Sequence, residues 1–272
     1  MQTRLLLILL PFLFIFSNNA FGQEKIKKKG ADRAESVQRI DESDPQKFWK
    51  EVTFDIRLHT NGFAFGGNYG LIKSDRKTVL FQLELTTIKH PREVRQSFDV
   101  FQGPAITSPK AFIYGKRNHF YGLHFGYGIK KYFSQKTKKR GVAVGMTYVF
   151  GPSLGITKPY FLDLIRFSDD MADFEIVSES YSEENADLFL NPGTIYGASG
   201  FAHGFDQLNF IPGAHGKVAV HFDWGAMDQF VKAIDAGIMV DIYHKDIPIM
   251  LTEDNRFLFI NLYLSLQLGK RS

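Results

Sequence analysis

Residues 257–269 read Phe-Leu-Phe-Ile-Asn-Leu-Tyr-Leu-Ser-Leu-Gln-Leu-Gly, and this run decides the fold. Leu258, Ile260, Leu262, Leu264, Leu266 and Leu268 fall on one side of an extended chain, while Phe259, Asn261, Tyr263, Ser265 and Gln267 fall on the other. A period of two with one apolar row is the mark of a β-strand. The same pattern recurs upstream. Val52, Phe54, Ile56 and Leu58 oppose Thr53, Asp55, Arg57 and His59, and Asn61-Gly62, a strong hairpin signal, follows at once. Phe63, Phe65, Tyr69 and Leu71 then oppose Ala64, Gly66, Asn68 and Gly70, and Val79 to Leu85 alternate after a Ser74–Lys77 turn. Further alternating segments cover Tyr121–Lys130, Val142–Phe150, Val218–Gly225 and Ile234–Tyr243. That makes about eight strands, with most segments close to the ~9–11 residues of a tilted membrane-spanning strand.

Alternation alone leaves the inside undecided, and the chemistry of the two rows settles it. The polar row is mostly Gly, Ala, Asn, Asp and His, small side chains that suit the crowded interior of an eight-stranded barrel. The opposite row has no ionic residue at its centre, as contact with hydrocarbon requires. A soluble barrel would instead place a row rich in Lys, Glu and Thr in water. Aromatics gather towards the segment ends, with Phe63, Tyr121, Tyr148 and Phe150 expected at one rim and Tyr69, Tyr132, Phe133, Trp224 and Phe230 at the other. The expected fold is all-β: an antiparallel up-and-down transmembrane barrel. Its turns at 73–77, 134–140 and 226–230 are short. The connections 89–117, 151–216 and 244–256, at the opposite end, are long and read as extracellular, which puts both termini in the periplasm.

Composition removes several other classes. The 272-residue chain has 27 Phe, 11 Tyr and 24 Gly, and no Cys, which excludes disulfide scaffolds, thiol catalysis and cysteine-based zinc sites. Thirty-three basic against 29 acidic residues give +4, too small and too scattered a charge to suggest nucleic acid. Residues 1–22 read as a secretory signal, with Arg4 before the apolar run Leu5–Phe16 and the small residues Ala20 and Gly22 before Gln23. Residues 23–50, with Lys25, Lys27, Lys28 and Lys29, read as a flexible periplasmic lead-in, leaving 51–272 as the barrel.

The signal ending Phe21-Gly22-Gln23, the Gly/aromatic alternation and the apolar last strand Phe257–Gly269 together resemble the small outer-membrane β-barrel proteins of Bacteroidota, over residues 50–270. The resemblance implies a fold and a location, with outer-membrane lipids as surroundings, and no particular activity. A link to envelope secretion or gliding machinery, which uses barrels of this kind, is compatible with it.

The inward row carries the candidate site: Asp55, Arg57, His59, Glu84, His124, Lys130, His221, Asp223, Asp235 and Asp241. An acid/base or metal site is one reading. The expected one is a structural network, because a narrow lumen is filled with side chains that must pair their charges. Arg57 and Lys130 would then be neutralised by Glu84, Asp223, Asp235 and Asp241. No catalytic residue, cofactor or metal site is expected. An outer-membrane lipid hydrolase or acyltransferase would need Ser and His on the lipid face or rim, where only His90, Ser97, His119, His203 and His215 are available, unconnected by spacing. Gly66-Gly67-Asn68-Tyr69-Gly70 lies inside a strand pattern and is not a phosphate loop. The acidic stretch 163–187 reads as a solvated surface segment open to cations, and 188–216 as a segment folding over the barrel mouth. Loops 89–117 and 151–216 are where other envelope proteins would dock.

Overall fold

The computed structural model describes residues 48–97, 110–134, 141–167, 174–225 and 228–272. The signal-like segment 1–22 and residues 23–47 of the lead-in lie outside them, as do 135–140 of one expected turn and 98–109 of one expected loop.

The alternating segments form strands β1 (Lys50–His59), β2 (Gly62–Ser74), β3 (Lys77–Ile88), β6 (Asn118–Ser134), β7 (Ala143–Pro159), β11 (Asn209–Asp223), β12 (Phe230–Ile247) and β13 (Arg256–Arg271). Each pairs antiparallel with its neighbours, and β1 closes on β13 to give an eight-stranded barrel. Aligned partners can be followed once round the wall: Val52, Tyr69, Phe81, Tyr127, Phe150, Gly216, Val240, Ile260. Ile260 lies three residues before Tyr263, the partner of His59, so the circuit closes at position 62, ten residues above its start (62 − 52 = 10). A shear of that size in eight strands tilts them by roughly 40° and leaves an interior that side chains can fill.

They do fill it. Along β1 every second residue is buried and the others are exposed; Leu58 is 65% exposed while Arg57 is 2% exposed. On β13 the exposed row is Leu258 to Leu268, with Ile260 and Leu262 above 60% exposed. A pocket in the lumen between Arg57, Lys130, Lys217 and Asp235 is about 10 Å³, room for about one water molecule. The end with the long connections is plugged by an apolar cluster that includes Ile88, Phe120, Ile211, Tyr243 and Phe259. At the opposite end the start of the barrel wall meets the last residue, Trp49 N donating to Ser272 O at 2.9 Å and Ser272 N to Lys50 O at 2.9 Å.

The long connections are more ordered than their sequences suggest. Residues 151–216 split into extensions of the barrel wall, β7 to Pro159 and β11 from Asn209, and an insert between them. The insert holds β8 (Phe161–Phe167), β9 (Phe174–Ser180), the single-turn α1 (Ala186–Phe189) and β10 (Ile195–Ala198), with strand order β10-β8-β9. Residues 163–167 and 174–180 of the acidic stretch are therefore paired antiparallel strands, in which Ser178 Oγ donates to Asp163 at 2.5 Å. Asp169, Asp170 and Asp173 lie outside the described residues. A short pair, β4 (Arg95–Gln96) and β5 (Phe112–Ile113), sits in the 89–117 connection. Phe112, Tyr160, Leu162, Leu164, Phe189 and Ile195 make a core of their own, with Leu251 packed against it, so all three long connections join in one cap.

Extending β7 also moves two aromatics. Tyr148 and Phe150 were expected at a rim, but the strand runs on to Pro159, so both lie mid-strand.

Candidate functional site

Every inward candidate on the barrel strands is buried, and the register brings them into two groups. In the middle of the barrel Glu84 is the hub. Arg57 Nη1 donates to Glu84 Oε1 at 2.5 Å, Lys217 Nζ to Oε2 at 3.0 Å, and His124 Nδ1 lies 3.3 Å from Oε1. Arg57 Nη2 also reaches Asp55 at 3.4 Å, and its guanidinium lies 4.5 Å over the ring of Tyr263. Asp55 accepts from Asn68 Nδ2 at 2.7 Å, and Lys217 donates to Gln82 Oε1. Asp241 approaches His124 Nε2 at 3.1 Å without the geometry of a hydrogen bond, and His215 stacks on His124 with centroids 4.5 Å apart. His59 Nε2 lies 3.1 Å from Thr86 Oγ1.

The second group sits near the end where Trp49 and Lys50 meet Ser272. Lys130 Nζ donates to Glu51 at 2.8 Å, and Arg271 bridges Glu51 at 3.0 Å and Asp223 at 2.6 Å. Tyr132 OH donates to Asp223 at 3.1 Å. His221 Nδ1 lies 2.5 Å from Asp235, which also accepts from Gln267 at 2.7 Å.

The pairing differs from the sequence expectation in its partners. Arg57 does meet Glu84, but Lys130 meets Glu51, and Asp223 meets Arg271. Asp235 and Asp241 face imidazoles rather than Arg57 or Lys130. Glu51, Lys217 and Arg271 complete the network and were not singled out; all three lie on the inward row, at the ends of the strand patterns. His215, expected at the rim, is in the lumen and 4% exposed. Among the described residues the inward row thus holds four basic side chains (Arg57, Lys130, Lys217, Arg271) against six carboxyl groups (Glu51, Asp55, Glu84, Asp223, Asp235, Asp241). His124 and His221 stand against carboxylates of this set.

Space for this network comes from glycines. A Cβ on Gly122 would lie 3.0 Å from both His124 Nε2 and Tyr243 OH, and one on Gly126 would lie 2.5 Å from Val149 Cγ1. The Gly66–Gly70 stretch is mid-strand in β2. Among the described residues, no group of three His, Cys, Asp or Glu is arranged to hold a metal ion.

The other rim candidates stand apart from one another. His119 packs edge-on against Tyr160 at 5.3 Å, and His203 lies 5.6 Å from the Phe161 ring. His90 Nδ1 accepts from Arg92 N at 3.3 Å, and Ser97 is exposed. In the cap, burial pushes the Lys116 ammonium below its ordinary range, opposed by Glu93 at 2.5 Å. The forked contact from Arg166, at 2.6 and 2.9 Å, holds the Glu179 carboxyl below the usual range.

No protein-family model matches the chain, and no curated protein matches it. Among solved structures it is similar to Neisserial surface protein A (NspA), with 10% identity over 83% of this chain and 97% of that one, at a TM-score of 0.38. The attachment invasion locus protein Ail of Yersinia pestis gives 10% identity over 82% and 95%, at 0.33. A major outer membrane protein from Thermus thermophilus gives 8% identity over 80% and 99%, at 0.36. At such identities the function must be argued from the chain's own geometry.

Proposed function

We propose that the protein is a non-enzymatic integral outer-membrane β-barrel, a closed wall that carries an ordered cap for docking other envelope components. The observation that carries this reading is the outward row. Val52, Phe54, Ile56 and Leu58 on β1, Phe81, Leu83 and Leu85 on β3, and Leu258 to Leu268 on β13 are all exposed apolar residues, in one continuous belt around a fully buried polar interior. A soluble protein rarely shows a contiguous apolar patch beyond a few hundred Å², whereas a membrane barrel needs such a belt. The closed circuit leaves no free strand edge through the body of the wall, the condition for crossing hydrocarbon with strands. The short turns lie at the end where Trp49 and Lys50 meet Ser272, which supports a periplasmic placement of that end.

The filled lumen argues against diffusion of solutes through it, since water-filled channels need about 16 strands. Its charged groups pair with one another, which supports a structural role for the network. Docking is assigned to the cap because apolar side chains remain exposed there, among them Phe167, Phe174, Ile176, Phe201 and Phe205. The full chain, expressed with residues 1–22 in a Gram-negative host, should fractionate with the outer membrane and resist alkaline carbonate extraction. Recovery in the soluble periplasmic fraction would overturn the reading.

A further inference from the structure

The barrel wall is incomplete at its outer end. β1 stops at His59 and turns straight into β2, whereas β13 continues beyond Tyr263, the partner of His59, to Arg256. The last backbone bond across this seam runs from Thr60 N to Leu262 O at 3.0 Å, and the Thr60 hydroxyl donates to Asn261 Oδ1 at 3.0 Å beside it. Residues 256–261 therefore have β12 on one side and, among the described residues, no strand on the other. In this notch lies a cavity of about 430 Å³. Its lining combines Leu258 and Ile260 of the outward row with Phe257 and Phe259 of the inward row. Residues from both faces of one strand can share a cavity only where the neighbouring strand is missing.

Two physical demands meet there. An unpaired strand edge cannot be left facing hydrocarbon, and Phe257 and Ile260, 52% and 63% exposed, are poorly placed against water. An amphiphile covers the apolar wall with its chain, and its polar head can accept hydrogen bonds from the outermost part of the open edge, beside Arg256. The charge of the head follows from Lys89 and Arg256, which line the same cavity together with one carboxylate, Asp246. Neither cation has an ion-pair partner among the described residues, whereas Arg92 and Lys116 nearby are paired with Glu253 and Glu93. We propose that the notch is a lateral lipid site, which seats one acyl chain of an outer-leaflet lipid along Leu258 and Ile260 and takes its phosphate on Lys89 and Arg256. This rests on the reading of the barrel as a membrane protein. The volume lies in the range of sites that hold small organic ligands. A peptide strand added to the β13 edge is the competing occupant; only six residues of edge are open, and their outward side chains continue the lipid-facing row.

The test is native mass spectrometry of the full chain, released from micelles containing equal phosphatidylglycerol and phosphatidylcholine. One phosphatidylglycerol should be retained per barrel in preference to phosphatidylcholine. Lys89→Glu combined with Arg256→Glu should weaken that retention by about tenfold or more, and Ile249→Trp, which fills the cavity, should abolish it. Equal retention of both lipids, retention of neither, or complete displacement by millimolar inorganic phosphate would each overturn the proposal. Protection of the β13 edge from hydrogen exchange only when a peptide is added would assign the notch to a strand instead. Heat-modifiable gel migration of the same samples separates the two failures: its loss indicts the membrane-barrel reading, and its persistence without bound lipid indicts the site alone.

Discussion

Arg57 shows what a single inward residue does in this barrel. It is 2% exposed, bonded to Glu84 at 2.5 Å and stacked on Tyr263. Arg57→Ala would leave Glu84, itself 1% exposed, short of one of its cations in the buried interior. Breaking a buried pair in this way costs about 3–5 kcal/mol, so the variant should melt well below the parent, while Glu183→Ala in the cap should melt with it. An unchanged melting temperature for Arg57→Ala, followed by circular dichroism in detergent, would contradict a structural network and point to a site. The inward placement of Arg57, Glu84 and Asp241 was legible from strict alternation, because a strand offers only two faces. Their partners were not legible, since register depends on all eight strands at once. Lys217 and Arg271 escaped notice for a more local reason. Beside them the outward row turns from aliphatic to Gly216 or Lys270, so the pattern fades just where these cations enter the lumen.

At the scale of elements, the outward row of β13 makes the sharpest demand. Leu262, 62% exposed among other leucines, should face the hydrocarbon midplane or close to it. Leu262→Arg should then impair insertion by about 2–4 kcal/mol, seen as a lower folded fraction in a urea titration into lipid vesicles. Tolerance of the arginine would mean that the row faces water. The strands themselves were readable, but their lengths were not. Gly151-Pro152 reads as the end of a strand, since proline cannot donate to a ladder. In the structure β7 passes through it, because the β6–β7 pairing skips Phe125 and Gly126 at that height and needs no donor there. Pro212 in β11 escapes in another way, lying just beyond the start of the β12 pairing at Gly213. The cap's own sheet was hidden because the acidic residues of β8 and β9 masked a short alternation behind a solvated composition.

For the whole molecule, the apolar plug and the two groups of the buried charge network fill the barrel along its length. Reconstituted into planar bilayers, the protein should give no stable conductance steps; porin-like steps would contradict the filled lumen. The central claim is that the outward row meets hydrocarbon, and the chain's lack of cysteine allows a direct measurement. Single cysteines placed in turn at positions 258–268, spin-labelled after refolding into lipid vesicles, should alternate. The even positions should be relaxed strongly by oxygen and weakly by a water-soluble nickel complex, and the odd positions weakly by both. Strong relaxation of the even positions by the nickel complex would put that row in water and contradict the account.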